Sequence, residues 1–457
     1  MITEQEMYMA RRCMELALEK GAESVRVSLG KSVLDSLTML NGELDKVSRS
    51  ADRSIFIYLF VDGRYGTFST NRLEEKELED FVAKAVTMVR MLGEDRFRSL
   101  PDPQRTAKDA AGGNELGLFD PRYTSRNADM RLKAAGDLSI YTKVKSGEAG
   151  KGYELISEEC EYSESYEDNY LIDSQGFEGR HTESSFGCFS EMTIQDTEGG
   201  KFSGFWWESS SKADGPDICS CGQKALERAV RQIGPKRRRS GKYRMVVDAG
   251  VSSRLVAPLL SALNAAAIQQ NMSFLEDSLG KRMFSEGLTI MDMARTPGKN
   301  GSRLFDTEGV ATADAPVIEK GTVRKYFVNT YHSRKMGIPA TVEDISRPCL
   351  MPYLKGDEST ASCEGISLAD ILQRCGSGIL VTGFNGGNCN PVSGDFSFGI
   401  EGFAFSRGKV THPVREMLIT GNMTSLWNSL TAAGTDALPS SRWQIPSLAF
   451  DDVSFSA

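Results

Sequence analysis

Dipeptides that close tight hairpins constrain this fold more than any other feature of the sequence. Asn41-Gly42 interrupts the strand-like run 32–52, and Asp62-Gly63 interrupts the run 53–70. Two-residue hairpin loops require positive φ angles, which Asn, Asp and Gly adopt at low cost. Glycine makes up 44 of the 457 residues, about one in ten, where about 7% is usual. We therefore predict a chain rich in short strands joined by tight turns.

Apolar residues at helical spacing alternate with these strands. The run from Met7 to Lys20 predicts a helix that ends at Gly21, and the segment "SQGFEG" (174–179) predicts a turn between two strands within 153–196. Further helices are predicted by the same spacing at 72–92, 128–140, 217–233 and 252–271.

The order of these elements predicts an α+β protein of two domains. Residues 1–235 would form an N-terminal domain with a mixed α/β layer. Residues 236–457 would form a β-rich C-terminal domain, which opens with a strand at 243–250 and has a hairpin corner at Arg407-Gly408. This second domain carries the motif GGNxNPVSGDFSFG.

Composition narrows the class of function. The net charge of −8 argues against a nucleic-acid-binding protein, which usually carries basic excess. The sequence has no run of eighteen apolar residues to span a membrane, and its polar, amphipathic start does not resemble a signal peptide. Nine scattered cysteines do not suggest a disulfide framework. We expect a cytoplasmic protein without membrane or nucleic-acid partners.

Residues that could hold a metal are sparse. The three histidines, His181, His332 and His412, are too far apart for two of them to share one helix, as a zincin site requires. They are either separate side chains or residues that converge only in the fold. Cys219 and Cys221 form one close pair of thiols without the second pair that structural zinc needs.

The stretch "GGNCNPVSGDFSFGIEGF" (386–403) is the densest candidate site. Its groups with acid, base or nucleophile chemistry are Cys389, Asp395 and Glu401. Cys389 is either a nucleophile, with His332 or His412 as its base, or a small packed side chain.

Backbone recognition is a second interpretation of this stretch. Glycines let another chain approach, Asn388 and Asn390 tolerate unusual backbone angles, and Asp395 can hold a turn. An extended peptide could then add to a sheet edge beside "FSFGIEGF" (396–403). The alternative is a purely structural cluster of turns. The basic run Pro235–Arg239 is either a phosphate or acidic-surface contact or a solvated linker between domains.

The stretch 386–422, ending in Gly421-Asn422 and followed by "AAGTD" (432–436), resembles the C-terminal signature of the TldD/PmbA family, once called modulators of DNA gyrase. The segments "VDGRYGTFST" (61–70), "DSQGFEG" (173–179), "MSFLEDSLGKRMFSEGLTIMD" (272–292) and "YFVNTYHSRKMG" (326–337) also resemble this family. The resemblance covers nearly the whole chain.

The family has a TldD branch, with an H-E-x-x-x-H zinc motif and a late cysteine ligand, and a PmbA/TldE branch that lacks them. Here the ligand and base positions fall about Ala257, Pro258 and Ala262, and no cysteine follows Asn422. These side chains can neither hold a metal ion nor accept a proton from bound water. The resemblance therefore places the chain with the PmbA/TldE branch.

This resemblance implies a non-catalytic subunit of a TldD-type zinc metallopeptidase complex that degrades or processes flexible peptides. It implies a heterodimer with a TldD-like subunit, a possible homodimer when alone, no catalytic or metal-binding residue, and zinc only in the partner. Alternatives are a homodimeric peptide-binding protein without hydrolysis, a Cys389-dependent hydrolase and a direct ligand of gyrase or nucleic acid. The predicted peptide-binding residues are Gly386, Gly387, Asn388, Asn390, Pro391, Ser393, Gly394, Asp395, Phe396 and Ser397.

Overall fold

The computed structural model describes residues 1–147, 150–356 and 365–457. The chain has an α+β fold, as predicted. Its first half contains helices α1 (Glu4–Glu19), α2 (Glu75–Val89), α3 (Ala128–Leu138), α4 (Tyr141–Ser146) and α5 (Ile218–Val230). The strands of this half are β1 (Ser24–Leu40), β2 (Glu43–Val61), β3 (Arg64–Thr70), β4 (Tyr153–Asp173), β5 (Glu178–Asp196) and β6 (Lys201–Ser210).

These six strands form one antiparallel sheet in the order β3-β2-β1-β4-β5-β6. The hairpin corners lie where the dipeptides predict them. Asn41 and Gly42 have φ angles of 52° and 85°, and Asp62 and Gly63 have φ angles of 50° and 68°. Both corners thus use the positive φ that a two-residue hairpin loop demands.

The prediction of short strands is wrong for this sheet, because β4 runs for 21 residues and β1 for 17. Two groups of helices cover one face of the sheet, one after the other along the length of its strands. Helices α1 and α2 pack near one end of the strands, and α3 and α5 pack near the other. A strand can stay regular for as long as one of its faces has a partner to cover it.

The second half contains helices α6 (Ser253–Ala262), α7 (Ala265–Gln269), α8 (Thr330–Met336), α9 (Leu368–Cys375) and α10 (Met423–Asn428). Its strands are β7 (Gly241–Val247), β8 (Ile290–Asp292), β9 (Ala315–Glu319), β10 (Thr322–Val323), β11 (Pro348–Leu350), β12 (Tyr353–Leu354), β13 (Ser377–Cys389), β14 (Asp395–Ser406), β15 (Lys409–Asn422), β16 (Leu430–Ala433) and β17 (Leu448–Ser456).

Five of these strands close a barrel in the order β7-β13-β14-β15-β17, because β17 also pairs with β7. The pair β7–β13 is parallel and the other pairs of the barrel are antiparallel. The main core of this half joins the barrel to α6, α7 and α10. The two large sheets lie within residues 24–210 and 241–456, on either side of the predicted boundary near residue 236.

The single helix predicted over 252–271 is broken in two. The backbone of Leu263 accepts a hydrogen bond from the N–H of Phe327, and the N–H of Ala265 donates to the Phe327 carbonyl, each at 2.9 Å. Asn264 then caps α7 by accepting a hydrogen bond from Ala266 N–H at 2.9 Å. Backbone pairing with Phe327 therefore interrupts the helix at Asn264, although the helical spacing of apolar residues continues through this position.

Eight cysteines are free thiols, and Cys363 lies outside the described residues. Among the helices of the described ranges, we find none with the length and apolar content required to cross a bilayer.

Glu6 joins α1 to the sheet. Its carboxylate accepts hydrogen bonds from Thr3 N–H at 2.8 Å and from the Lys31 ammonium and the Arg53 guanidinium at 3.1 Å. Burial opposes ionisation, but these hydrogen bonds outweigh it and lower the pKa of Glu6 to about 2. The ionised carboxylate therefore stabilises the folded state above the ordinary pKa of 4.5.

We expect Glu6→Gln to lower the free energy of unfolding by about 2 kcal/mol at pH 7, because the charge-assisted hydrogen bonds become neutral ones. Urea unfolding followed by circular dichroism measures this change. The difference from wild type should shrink as the pH falls from 4.5 toward 2, where the folded carboxylate takes up its proton. Glu4→Gln, an exposed change in the same helical turn, is the control, and an equal loss there would contradict the role of Glu6.

Candidate functional site

The glycine-rich stretch forms the end of β13, the start of β14 and the turn between them. A bulge lies between Asn385 and Asn388 on β13, and its residues Gly386 and Gly387 have φ angles of 74° and 81°. A Cβ atom on Gly387 would lie 2.0 Å from the Ser397 carbonyl oxygen, whereas one on Gly386 would meet open space. Only glycine fits position 387 both in its φ angle and in its close contact with β14.

Hydrogen bonds within the stretch hold the turn that follows. Asn390 donates its N–H to the Asp395 carbonyl at 2.7 Å, and its side-chain oxygen accepts from Val392 N–H at 2.9 Å. The Asp395 carboxylate accepts from the Asn422 amide at 3.0 Å and from the Ser393 hydroxyl at 2.7 Å. These two hydrogen bonds lower the pKa of Asp395, so its carboxylate anchors the turn and is a poor proton acceptor.

The predicted peptide-binding residues divide by exposure. Gly394 and Phe396 are buried, and Phe396 stacks on the buried Phe398 with ring centroids 5.3 Å apart. Ser397 is half-buried. The other seven are exposed, namely Gly386, Gly387, Asn388, Asn390, Pro391, Ser393 and Asp395.

The available sheet edge belongs to β13. Strand β14, which contains "FSFGIEGF", pairs with β13 on one side and with β15 on the other, so a peptide has no free edge there. Strand β13 pairs with β7 only at Ile379–Val381. From Thr382 to Cys389, no other strand in the described part of the chain occupies this edge. In this segment Gly383, Phe384, Asn385, Asn388 and Cys389 pair with β14 on one side and leave the other side open, and the bulge at Gly386 and Gly387 interrupts the pairing.

A cavity of about 640 Å³ lies beside the end of this edge. Asn388, Cys389 and Pro391 line it from the hairpin, and α6, α7 and the segment after α7 line the opposite side. Phe274 joins the two sides, since its N–H donates to the Pro391 carbonyl at 2.8 Å and its side chain lines the cavity. The lining is largely apolar and comprises Ala257, Pro258, Ala262, Ala266, Ala267, Met272, Phe274 and Phe398 besides the polar Arg254, Ser261, Asn264 and Gln270.

The three positions that the resemblance matched to metal ligands and base all line this cavity. Ala257, Pro258 and Ala262 offer no imidazole, thiolate or carboxylate, and catalytic zinc needs about three such ligands and a base. Within the described ranges, no group of three His, Cys, Asp or Glu side chains is arranged to hold a metal ion. The residues of this site do not fit a zinc ion.

A second cavity, of about 1000 Å³, lies where the first sheet meets the barrel. Thr382, Gly383 and Asn385 of β13 line it, together with β6, α5 and β15. Arg228 on α5 lies 3.6 Å from Asp248 and stacks on Trp206. The open edge of β13 thus contributes its first residues to the larger cavity and its last residues to the smaller one.

Cys389 is not equipped as a nucleophile. Its half-buried thiol donates to the Asn390 carbonyl at 3.7 Å, and burial together with the Asp395 carboxylate raises its pKa. The imidazoles proposed as its base bond elsewhere, His332 to Asn329 and His412 to Thr411. A protonated thiol without a neighbouring base is a weak nucleophile.

The remaining candidate groups lie apart from this hairpin. His181 contacts Glu183 on β5. Cys219 is exposed and Cys221 is buried against the Trp206 carbonyl. The basic run Pro235–Arg239 is largely exposed between α5 and β7. None of these groups lines either cavity.

Sequence reasoning missed Arg254, which donates from Nη2 to the Gly387 carbonyl at 3.1 Å. Its guanidinium also lies 5.2 Å from the centre of the Phe398 ring. A signal for it existed, because Arg254 is the one charged residue in the run 249–271. An isolated charge on an otherwise uncharged helical segment indicates a specific contact.

We expect Gly387→Ala to lower the free energy of unfolding by about 3 kcal/mol, because Ala must adopt positive φ and displace the Ser397 carbonyl. Gly386→Ala is the matched control. It has a similar φ angle but open space around the added methyl group, so it should cost about 1 kcal/mol. Chemical unfolding of both variants measures the difference, and equal losses would show that the close contact is unimportant.

Comparisons with known proteins give a consistent result. Three family models match the chain: the PmbA/TldA metallopeptidase domain 1 over residues 25–89, the central domain over 128–233 and the C-terminal domain over 240–457. Metalloprotease PmbA from Escherichia coli O157:H7 is 24% identical over 428 residues, which cover 93% of this chain and 90% of that relative.

Solved structures are similar over the full length. The crystal structure of a candidate modulator of DNA gyrase from Bacteroides thetaiotaomicron is 38% identical, with a TM-score of 0.91 over 100% of both chains. TldE from Thermococcus kodakarensis is 17% identical, with a TM-score of 0.80 over 98% of this chain and 100% of that one. At that identity the likeness to TldE concerns the fold alone.

Proposed function

This chain belongs to the PmbA/TldD metallopeptidase family, and from that premise we propose that it is a peptide-binding subunit without catalytic groups of its own. In this proposal it is of the PmbA/TldE type and acts with a TldD-type zinc subunit. Together the two would process flexible peptides, and the chain by itself would form homodimers.

The absence of metal-binding groups from the α6 face of the smaller cavity is the observation that carries this proposal. Ala257, Pro258 and Ala262 lie on that face, where the family's catalytic branch needs ligands and a base. Hydrolysis by zinc requires a Lewis acid and a group that accepts the proton of its bound water. Three inert side chains in one place remove both requirements together.

The open edge of β13 supports a role in peptide binding. An extended peptide that adds to a sheet edge gains main-chain hydrogen bonds regardless of its sequence. Its side chains would alternate between the two faces of the enlarged sheet. The cavities of about 1000 Å³ and 640 Å³ beside Thr382–Asn385 and Asn388–Cys389 offer space for them. Flexible, unfolded peptides fit this mode best because they can become extended.

Two alternatives have weaker support. Hydrolysis by Cys389 would require a thiolate, and the surroundings of this thiol raise its pKa. Direct binding of nucleic acid would be opposed by the net charge of −8.

We expect the purified chain alone to leave an unfolded peptide intact, because it lacks a metal site and a base. Addition of a TldD-type partner should give cleavage that a chelator abolishes, as measured by mass spectrometry of the products. Cys389→Ser tests the thiol alternative, because complete loss of cleavage in this variant would favour a Cys389-dependent hydrolase, and Cys219→Ser, at an exposed thiol that lines neither cavity, is the matched control. Chelator-sensitive cleavage by the isolated chain would overturn the non-catalytic role, and peptide binding without any cleavage in the mixture would favour the homodimeric binding protein.

Edge pairing predicts a period of two along the bound peptide. A set of fluorescent peptides, each methylated at one backbone nitrogen, should lose affinity at alternate positions, because only alternate N–H groups point to β13. We expect a loss of about 1 kcal/mol, or fivefold in Kd, at each sensitive position. Fluorescence anisotropy measures it. Equal effects at successive positions would exclude binding as an added strand.

A further inference from the structure

We propose that the smaller cavity receives the C-terminal residue of the bound peptide, with its carboxylate on Arg254 and an apolar side chain inside. This inference rests on the proposed function, since it names the class of peptide that the β13 edge would select. It is carried by Arg254, by the composition of the cavity and by the place where the edge ends.

Arg254 is an exposed cation that is held in position and still has hydrogen-bond donors to offer. Its guanidinium uses Nη2 to bond the Gly387 carbonyl and lies against the Phe398 ring. It forms no ion pair with any residue of the described ranges. A guanidinium has five N–H donors in a planar fork that matches a carboxylate. Arg254 is thus oriented by the hairpin without being neutralised by it.

The charge of the cavity lining favours a ligand with a single negative charge. Among the described residues that line it, Arg254 alone is charged, and the nearby polar groups are the neutral side chains of Ser261, Asn264 and Asn388. Its other walls are alanine, proline, methionine and phenylalanine, together with the uncharged side chains of Gln270 and Cys389. A site with a single cation and apolar walls favours a monoanion that carries an apolar group. A peptide that ends in an apolar residue has this chemistry.

The direction of the peptide follows from the same charge. Strand β13 ends at Cys389, and just beyond it the segment after α7 occupies the hairpin, because Phe274 N–H donates to the Pro391 carbonyl. A peptide on this edge therefore places one of its two ends at Arg254. An ammonium group there would be repelled and a carboxylate attracted. The peptide would run parallel to β13, as β7 does before it leaves the same edge.

The test compares two labelled peptides of one sequence ending in leucine, one with a free C-terminal carboxylate and one with a C-terminal amide. Anisotropy titrations with the full chain should give a Kd about tenfold lower for the free acid, the usual scale of a charge-assisted hydrogen bond. Arg254→Met should remove this preference, and Arg254→Lys should retain part of it. Arg282→Met, which removes an exposed arginine paired with Glu286, should leave the preference intact.

Ala257→Leu tests the apolar part of the site without touching the charge. The added side chain narrows the cavity, so a peptide ending in leucine should lose its advantage over one ending in alanine, while the preference for the free acid remains. Equal binding of acid and amide by the wild type would overturn this inference and leave edge binding standing. Failure of both peptides to bind would instead overturn the proposed function on which it rests.

Discussion

The difference in length between two paired strands underlies the candidate site. Strand β7 has 7 residues and β13 has 13. Strand β7 closes the barrel by pairing with both β13 and β17, and the chain then turns away at Asp248 into α6. The pairing of β7 with β13 closes the barrel as far as Val381, and beyond Val381 this edge of β13 has no partner strand within the described residues. Unpaired backbone groups along a strand edge can bond another chain. The shortness of β7 therefore creates the open edge on which our peptide-binding proposal is built.

The turn into α6 also places the helix against the same strand end. Arg254, on the first turn of α6, donates a hydrogen bond to the Gly387 carbonyl. The buried face of α6 packs into the barrel core through Leu255, Val256 and Leu259. The same helix lines the smaller cavity with Ala257, Pro258 and Ala262. The side chains of these three residues carry no polar group whose burial would need a hydrogen-bond partner.

Much of the fold could be predicted from the sequence. The corners at Asn41-Gly42, Asp62-Gly63 and Arg407-Gly408 lie at their predicted places because positive φ is a local property of these residues. The helices near 4–19, 75–89 and 218–230 could also be predicted from local sequence. The periodicity of their apolar residues can be recognised without knowing which surface the helix packs against. The break at Asn264 could not be predicted, because it depends on pairing with Phe327, which is distant in the sequence.

The candidate site divides in the same way. The sequence by itself indicated the cluster of turns around Asn388, Asn390 and Asp395, and it determined the lack of metal-binding groups at Ala257, Pro258 and Ala262, since both follow from which side chains are present. Only the tertiary structure decided that β14 is enclosed, that β13 carries the open edge, and that Arg254 lies at its end. The open edge and the place of Arg254 depend on contacts between segments more than 100 residues apart, namely the pairing of β7 with β13 and the hydrogen bond from Arg254 to Gly387. They arise from barrel closure, which no local pattern of residues encodes.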